Sequence, residues 1–232
     1  MQDQLILLPG LLCDARIYAA QIGALGHRAT ISVPDLSGYD SIGDMATAVL
    51  AHAPPRFSLG GFSMGGHVAI EIAIRAPERV ERLVLIETTY KPVAEHIRAH
   101  LRGSLERLGS GDIGGYLDDA YPNYFATDAK VDQSFKTIFM EMGLAQGATA
   151  AVRQINAVLT YRGHMGVLSQ ISCPTIVICG ELSKRNSYEV QKEMADKIPN
   201  SNMISIKGAG HFVSLEQPET TTATLAHWLD TR

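Results

Sequence analysis

The chain has 232 residues, a length that suits one folded domain with a full core and is short for two. Lysine and arginine number 20 against 24 aspartates and glutamates, and the net charge of −4 argues against an electrostatic nucleic-acid-binding protein. Hydrophobic residues make up 46% and charged residues 19%, as in globular chains rather than disordered ones.

The cysteines and the N-terminus favour a cytoplasmic protein. Cys13, Cys173 and Cys179 are odd in number and lack paired spacing, which argues against a disulfide scaffold or a zinc site. The first residues carry no basic segment and the apolar run at 5–8 is short, so no signal peptide is expected. No stretch approaches the roughly 18 apolar residues of a membrane span. We expect a small-molecule substrate and neither a nucleic-acid partner nor a membrane partner. The sequence leaves the oligomeric state open.

Short apolar runs alternate with helical patterns along most of the chain. Ser41 followed by Asp44 is a candidate capping box at the start of one helix. Strand–helix alternation predicts an α/β fold with a mainly parallel sheet of about six strands flanked by helices. The predicted strands are 5–8, 30–33, 57–60, 83–86, 175–179 and 203–206, and the predicted helices are 41–53, 65–76, 188–198 and 219–229.

Residues 91–170 break this alternation, since they contain helical stretches and no convincing strand. We interpret them as a helical cap inserted into a core formed by residues 1–90 and 171–232. Most of the many aromatic residues in the insertion are expected to pack its own small core. Some are expected to line an apolar substrate cavity under this lid, and the candidates are Tyr121, Tyr124 and Phe139.

Residues 61–65 read Gly-Phe-Ser-Met-Gly and match the pattern G-x-S-x-G. The pattern follows a predicted strand and opens a predicted helix, which is the setting that a nucleophile elbow requires. Glycines are needed because the sharp turn brings strand and helix backbones together. The hydroxyl of Ser63 is thereby predicted to project from the carboxyl edge of the sheet as a nucleophile.

A histidine directly after the last predicted strand supplies a candidate base. His211 reaches the same edge, and the order serine first, histidine last fits the hydrolase arrangement. The other histidines lie in helices or connections and are expected to be incidental, although His164 could border the cavity. Two backbone N–H groups should form an oxyanion hole: that of Met64, and that of Leu11 in the loop after the first strand.

These pieces together resemble the α/β-hydrolase fold family over essentially the whole chain. The matching segments are residues 8–12, 61–65, 76–80, 173–175 and 210–219. The chain is similar to small bacterial esterases and enol-lactonases without an additional amino-terminal strand pair. The resemblance implies a helical cap, which 91–170 would form, and no cofactor or metal; it does not specify the substrate.

The acid of a catalytic triad is where the chain departs from the family. Members usually carry an aspartate at the position of Ser183, and a serine cannot stabilise an imidazolium with a charge. Glu87, directly after the strand that ends at 86, is ranked first as the alternative acid. Glu181 is a poorly spaced second choice. The third interpretation is that the site lacks an acid.

The leading hypothesis is a serine hydrolase that cleaves a small, fairly apolar carboxylic ester or lactone through an acyl-enzyme. The alternative enzymatic hypothesis is carbon–carbon bond hydrolysis, or cofactor-free lyase or oxygenase chemistry. These reactions also occur on this scaffold. A non-catalytic member that binds a small ligand is the third. The missing aspartate favours it, whereas the presence of Ser63 and His211 argues against it.

Overall fold

The computed structural model describes residues 2–126 and 133–230, and it contains one sheet with helices on both faces. The strands are β1 (Asp3–Leu8), β2 (Ala29–Ser32), β3 (Phe57–Phe62), β4 (Val80–Ile86), β5 (Thr175–Gly180) and β6 (Ser201–Ile206). The helices are α1 (Ala19–Leu25), α2 (Ile42–His52), α3 (Met64–Arg75), α4 (Glu95–Gly109), α5 (Ile113–Ala120), α6 (Gln133–Thr160), α7 (Tyr188–Asp196), α8 (Val213–Glu216) and α9 (Pro218–Asp230). Within these described ranges, no helix is long and apolar enough to cross a membrane.

The six strands lie in the order β2-β1-β3-β4-β5-β6, and every pairing is parallel. All six predicted strands are confirmed, with ends that differ by up to three residues. Because parallel strands share a direction, the residues that follow them all meet at one edge of the sheet. The loops after β1, β3, β4, β5 and β6 carry the candidate site residues to this edge.

Both faces of the sheet are buried. Consecutive side chains of a strand point to opposite faces, so each strand contributes to an apolar cluster on either side. In β1, Leu5 and Leu7 join one apolar cluster, whereas Ile6 and Leu8 join the other. The four side chains are at most 3% exposed. A continuous apolar run is therefore what a strand in this position needs, and the rigid sheet it forms fixes the edge that holds the site.

The structure contains the predicted helices and two short helices that the sequence did not predict. The Ser41 hydroxyl accepts from the Asp44 N–H at 3.0 Å and donates to its carboxylate at 2.7 Å, which confirms the cap of α2. Helices α1 and α8 were not predicted from the sequence. Each is too short to show a helical repeat, and both depend on packing against neighbouring elements.

The segment between β4 and β5 contains helices α4, α5 and α6 and, in its described residues, no strand. Gly147, with φ of 78°, interrupts α6. Four buried aromatic residues of the segment belong to the same apolar cluster as one face of the sheet, whereas Tyr161 belongs to the cluster on the other face. The segment is thus a helical insertion packed on the core, while its boundaries at 91 and 170 and its role as a separate cap stay predictions. Residues 127–132 of the predicted cap lie outside the described residues.

Candidate active site

The turn between β3 and α3 holds Ser63 in a strained conformation. Its φ of 52° and ψ of −114° lie where non-glycine residues are rare. The Ser63 N–H donates to the Ile86 carbonyl at 2.9 Å, which ties the turn to strand β4. A Cβ atom on Gly61 would overlap the backbone of Gly65, and one on Gly65 would overlap the Leu8 carbonyl. The turn therefore requires the two glycines of the motif.

A fully buried carboxylate at the end of β4 faces the imidazole. The Oε2 atom of Glu87 lies 2.8 Å from the Nδ1 atom of His211 and also accepts from the Ser183 hydroxyl at 2.7 Å. Its Oε1 atom accepts from the Gly180 N–H at 2.7 Å and from the Gln191 amide at 3.2 Å. Four donors around two oxygens suit an ionised carboxylate, which can only accept.

Ser183, where the resemblance leads one to expect an aspartate, lies beside Glu87 rather than against the imidazole. The other alternative, Glu181, is exposed and accepts from the Gly208 N–H at 3.0 Å. The structure thus brings only the first-ranked of these groups to His211. That Glu87 acts as the catalytic acid stays a prediction.

The loop after β6 carries His211 into the interior, where it is 2% exposed. Because Glu87 accepts, the hydrogen is assigned to Nδ1, and Nε2 is left with a free lone pair. Burial lowers the pKa of His211, although the contact with Glu87 acts in the opposite direction. Ser63 lines the same cavity, and no hydrogen bond joins its hydroxyl to His211 within the described part of the chain. A buried, neutral imidazole near a serine is suited to general-base catalysis.

A second, partly buried carboxylate holds the His211 loop in place. Glu216, in α8, accepts from the N–H groups of Gly210 and Phe212 at 3.0 Å each and from that of Ala126 at 2.9 Å. The His211 N–H itself donates to the Tyr124 carbonyl at 2.9 Å. Sequence reasoning placed Glu216 in a matching segment but gave it no role, since its side chain binds backbone groups that the motif does not identify.

The predicted oxyanion residues line the same cavity as Ser63. Leu11 and Met64 both line the cavity, and Met64 is the first residue of α3, where backbone N–H groups have no intrahelical acceptor. Leu12, with φ of 55°, donates its N–H at 2.8 Å to Gln154, a buried residue of α6. Gln154 therefore anchors the loop beside Leu11, and the sequence offers no signal of this contact.

The cavity over Ser63 has a volume of about 270 Å³. Among the predicted substrate-binding residues, Tyr124 lines it, and Phe139 lines a narrow extension next to Ser63. Tyr121 lines neither space, as far as the described residues define them, and packs against Phe125 and Phe139 with ring centroids 4.7 and 5.6 Å away. Its position is that of a packing residue.

His67, one helical turn beyond Ser63 in α3, is a cavity residue that sequence reasoning treated as incidental. Its ring stacks on Tyr161 with centroids 4.1 Å apart, and its buried Nδ1 has no hydrogen-bond partner among the described residues. His164 lines another recess, 2.6 Å from Glu71 and 2.8 Å from the Tyr161 hydroxyl, and is not among the residues that line the cavity over Ser63. The spacing of four residues from Ser63 was the available signal for His67.

The buried imidazole of His67 predicts acid sensitivity of the fold. Burial, followed by the neighbouring His164, lowers the pKa of His67 from 6.5 to about 3. The unfolded chain therefore binds the proton first, and the stability is lost as the pH falls below 6.5. Between pH 7 and pH 5 this residue should remove about 2 kcal/mol from the free energy of unfolding.

Urea unfolding of His67→Phe at both pH values measures this contribution, because phenylalanine keeps the stacking on Tyr161 and cannot titrate. The variant should lose about 2 kcal/mol less than the wild type between pH 7 and pH 5. His27→Phe, at an exposed position, is the control and should behave as the wild type. An equal acid loss in His67→Phe and wild type would contradict the assignment.

Comparison with known proteins agrees with this architecture. The sequence model of the alpha/beta hydrolase family matches residues 5–224. A pimeloyl-[acyl-carrier protein] methyl ester esterase from Nitrosomonas europaea is 23% identical over an alignment of 235 positions, which covers 93% of this chain and 91% of that protein. A thermophilic esterase from Thermogutta terrifontis superposes with a TM-score of 0.90 at 24% identity, over 98% of this chain and 90% of its own. The enol-lactonase from Burkholderia xenovorans LB400 gives 0.89 at 18% identity, over 100% and 93%. The fold predicted from the sequence is confirmed.

Proposed function

Because the chain belongs to the alpha/beta hydrolase family and is an enzyme of the ester-hydrolase type, we propose that it cleaves a small carboxylic ester or lactone with Ser63 as the nucleophile. One observation carries the proposal: the 2.8 Å contact between His211 and the buried Glu87, at the cavity that the strained Ser63 also lines. Such a set is the constellation of nucleophile, base and orienting acid.

In this mechanism the Ser63 oxygen attacks the ester carbonyl while Nε2 of His211 takes the hydroxyl proton. Glu87 holds the imidazole through Nδ1–H and stabilises the imidazolium. The oxyanion of the tetrahedral intermediate accepts from the N–H groups of Leu11 and Met64. The C–O bond then breaks, and the proton passes from His211 to the leaving alcohol. Water, activated by the same imidazole, hydrolyses the acyl-enzyme and restores Ser63.

The cavity supports a small, fairly apolar substrate. Its volume of about 270 Å³ lies at the lower end of small-molecule sites. Most of the surface of the cavity is apolar, and aliphatic residues of both the insertion and the core contribute to it. The aliphatic residues are Leu11, Met64, Val93, Ala94, Ile97, Leu101, Val158 and Val190. An uncharged acyl chain therefore has apolar surface to contact along most of its length.

The alternative functions have less support from the site. A non-catalytic ligand-binding member was favoured by the missing aspartate, and Glu87 beside His211 removes that reason. Carbon–carbon hydrolysis and cofactor-free chemistry would use the same residues, and no observation favours them. We also propose that the enzyme acts in the cytoplasm, where its three buried cysteines, none of them in a disulfide, stay reduced.

The test is hydrolysis of short p-nitrophenyl esters combined with a serine-directed phosphonate. The protein should hydrolyse the esters, and the phosphonate should label it once, on the peptide that contains Ser63, with loss of activity. Ser63→Ala is the control and should neither hydrolyse nor take up label. Labelling at another residue, or activity that survives in Ser63→Ala, would refute Ser63 as the nucleophile.

We further predict that the insertion sets the choice of acyl chain. Tyr124→Leu and Phe139→Leu should shift the ratio of kcat/KM for a long against a short p-nitrophenyl ester by roughly tenfold, because each widens the space next to Ser63. Tyr121→Leu, in the same aromatic cluster, is the matched control. It should lower Tm and leave the ratio unchanged. If Tyr124→Leu and Phe139→Leu changed Tm alone, both residues would be packing residues.

A further inference from the structure

One cation at the mouth of the active-site cavity has no acidic partner in the part of the chain that the structure describes. Arg185, in the loop between β5 and α7, lines the cavity, and its guanidinium lies 4.8 Å from the centroid of the Tyr124 ring. No carboxylate among residues 2–126 and 133–230 lies within ion-pair distance of it. Lys91, the other lysine or arginine of the lining, is neutralised by Glu193 at 2.6 Å. Arg185 therefore presents an uncompensated positive charge, held in place by an aromatic ring.

The same arginine also lines a second, outer recess. This recess has a volume of about 300 Å³, and none of the lining residues that the structure describes is an aspartate or glutamate. The lining consists of His96, Ile97, His100, Asn123, Lys184 and Arg185. Arg185 thus stands at the boundary between an apolar cavity that holds the nucleophile and a basic recess that opens outward.

From this placement we infer that the substrate carries an anionic oxygen group, a carboxylate or a phosphate, which Arg185 binds at the cavity mouth. The inference deepens the proposed function and rests on it. The planar guanidinium matches two oxygens of such a group and is weakly hydrated, so it suits a half-buried site. The buried carboxylate of Glu87 lies at the catalytic end and repels a second anion there. The charge of the substrate is therefore directed outward, and its apolar segment lies along the cavity.

Matched methyl esters test this inference. The first is the monomethyl ester of a dicarboxylic acid, the second has the same chain with a terminal phosphonate, and the third has an uncharged methyl terminus. Wild-type protein should show kcat/KM roughly tenfold higher for a charged ester than for the uncharged one. Arg185→Gln should abolish that preference, chiefly through KM, since the contact is remote from the reacting carbonyl. Arg185→Lys should retain part of it.

Control variants distinguish the effect of the Arg185 charge on substrate preference from the effect of removing any positive charge. Arg56→Gln removes an exposed arginine paired with Glu81 at the opposite edge of the sheet, and it should keep the preference. A phosphonate preference that Lys184→Gln also weakens would support a phosphate-bearing substrate, whereas a carboxylate preference that depends on Arg185 alone would support a dicarboxylic monoester.

Three outcomes would overturn the inference. If the uncharged ester is hydrolysed in a Ser63-dependent manner with no preference for charge, or if the preference persists in Arg185→Gln, the anion site is refuted and the proposed function stands. If no ester is hydrolysed by folded protein, both are refuted.

Discussion

Glu87→Gln is expected to lower kcat for ester hydrolysis by roughly 10⁴-fold, the loss seen when the acid of a serine triad is neutralised. The glutamine keeps the shape of the side chain and removes its charge. A neutral amide cannot stabilise the imidazolium of His211 as the carboxylate does. The amide nitrogen is also a donor, and it would face donors that now hydrogen-bond to Glu87. The imidazole is then free to turn or to adopt the other tautomer.

Kinetics on one p-nitrophenyl ester, with Tm from circular dichroism, check this expectation. Glu181→Gln is the matched control, because Glu181 is a nearby but exposed carboxylate. It should keep kcat within about twofold, as expected for a surface change. A loss in Glu87→Gln of less than about tenfold, in protein that is folded, would exclude Glu87 as the triad acid.

Ser183→Asp carries the second large expected effect, and its sign depends on the background. In the wild type the new carboxylate would face Glu87, whose Oε2 now accepts from the Ser183 hydroxyl at 2.7 Å. Two buried carboxylates in contact repel each other, and one takes up a proton. We expect kcat to fall roughly 10- to 100-fold in this variant.

In the Glu87→Gln background the same change should raise kcat by roughly 10²–10³-fold, because it returns one carboxylate to the vicinity of His211. Ser183→Asn is the control in both backgrounds, since it has the size of aspartate without the charge. A gain from Ser183→Asp in the wild type would mean that Glu87 is not the acid. No gain in the Glu87→Gln background would mean that position 183 is out of reach of the imidazole.

Local sequence patterns determined the scaffold. Apolar runs of strand length alternate with helical segments and predict a parallel sheet, because each such run must be buried on both faces. The glycines around Ser63 predict the elbow, since side chains at positions 61 and 65 would overlap the neighbouring backbone. The place of His211 after the last strand predicts that it meets Ser63 at one edge. These inferences need only neighbours in the chain.

The partners of these residues were decided by the tertiary structure alone. Glu87 and His211 are 124 positions apart, and Leu12 and Gln154 are 142 apart. At such separations, partner choice depends on side-chain length and on the packing of whole elements, which no local pattern encodes. The sequence left three interpretations of the acid open for this reason. The sheet places Glu87, after β4, two strands from the His211 loop, after β6, with β5 between them. At this edge the longer glutamate side chain reaches the imidazole, and Ser183 reaches the glutamate.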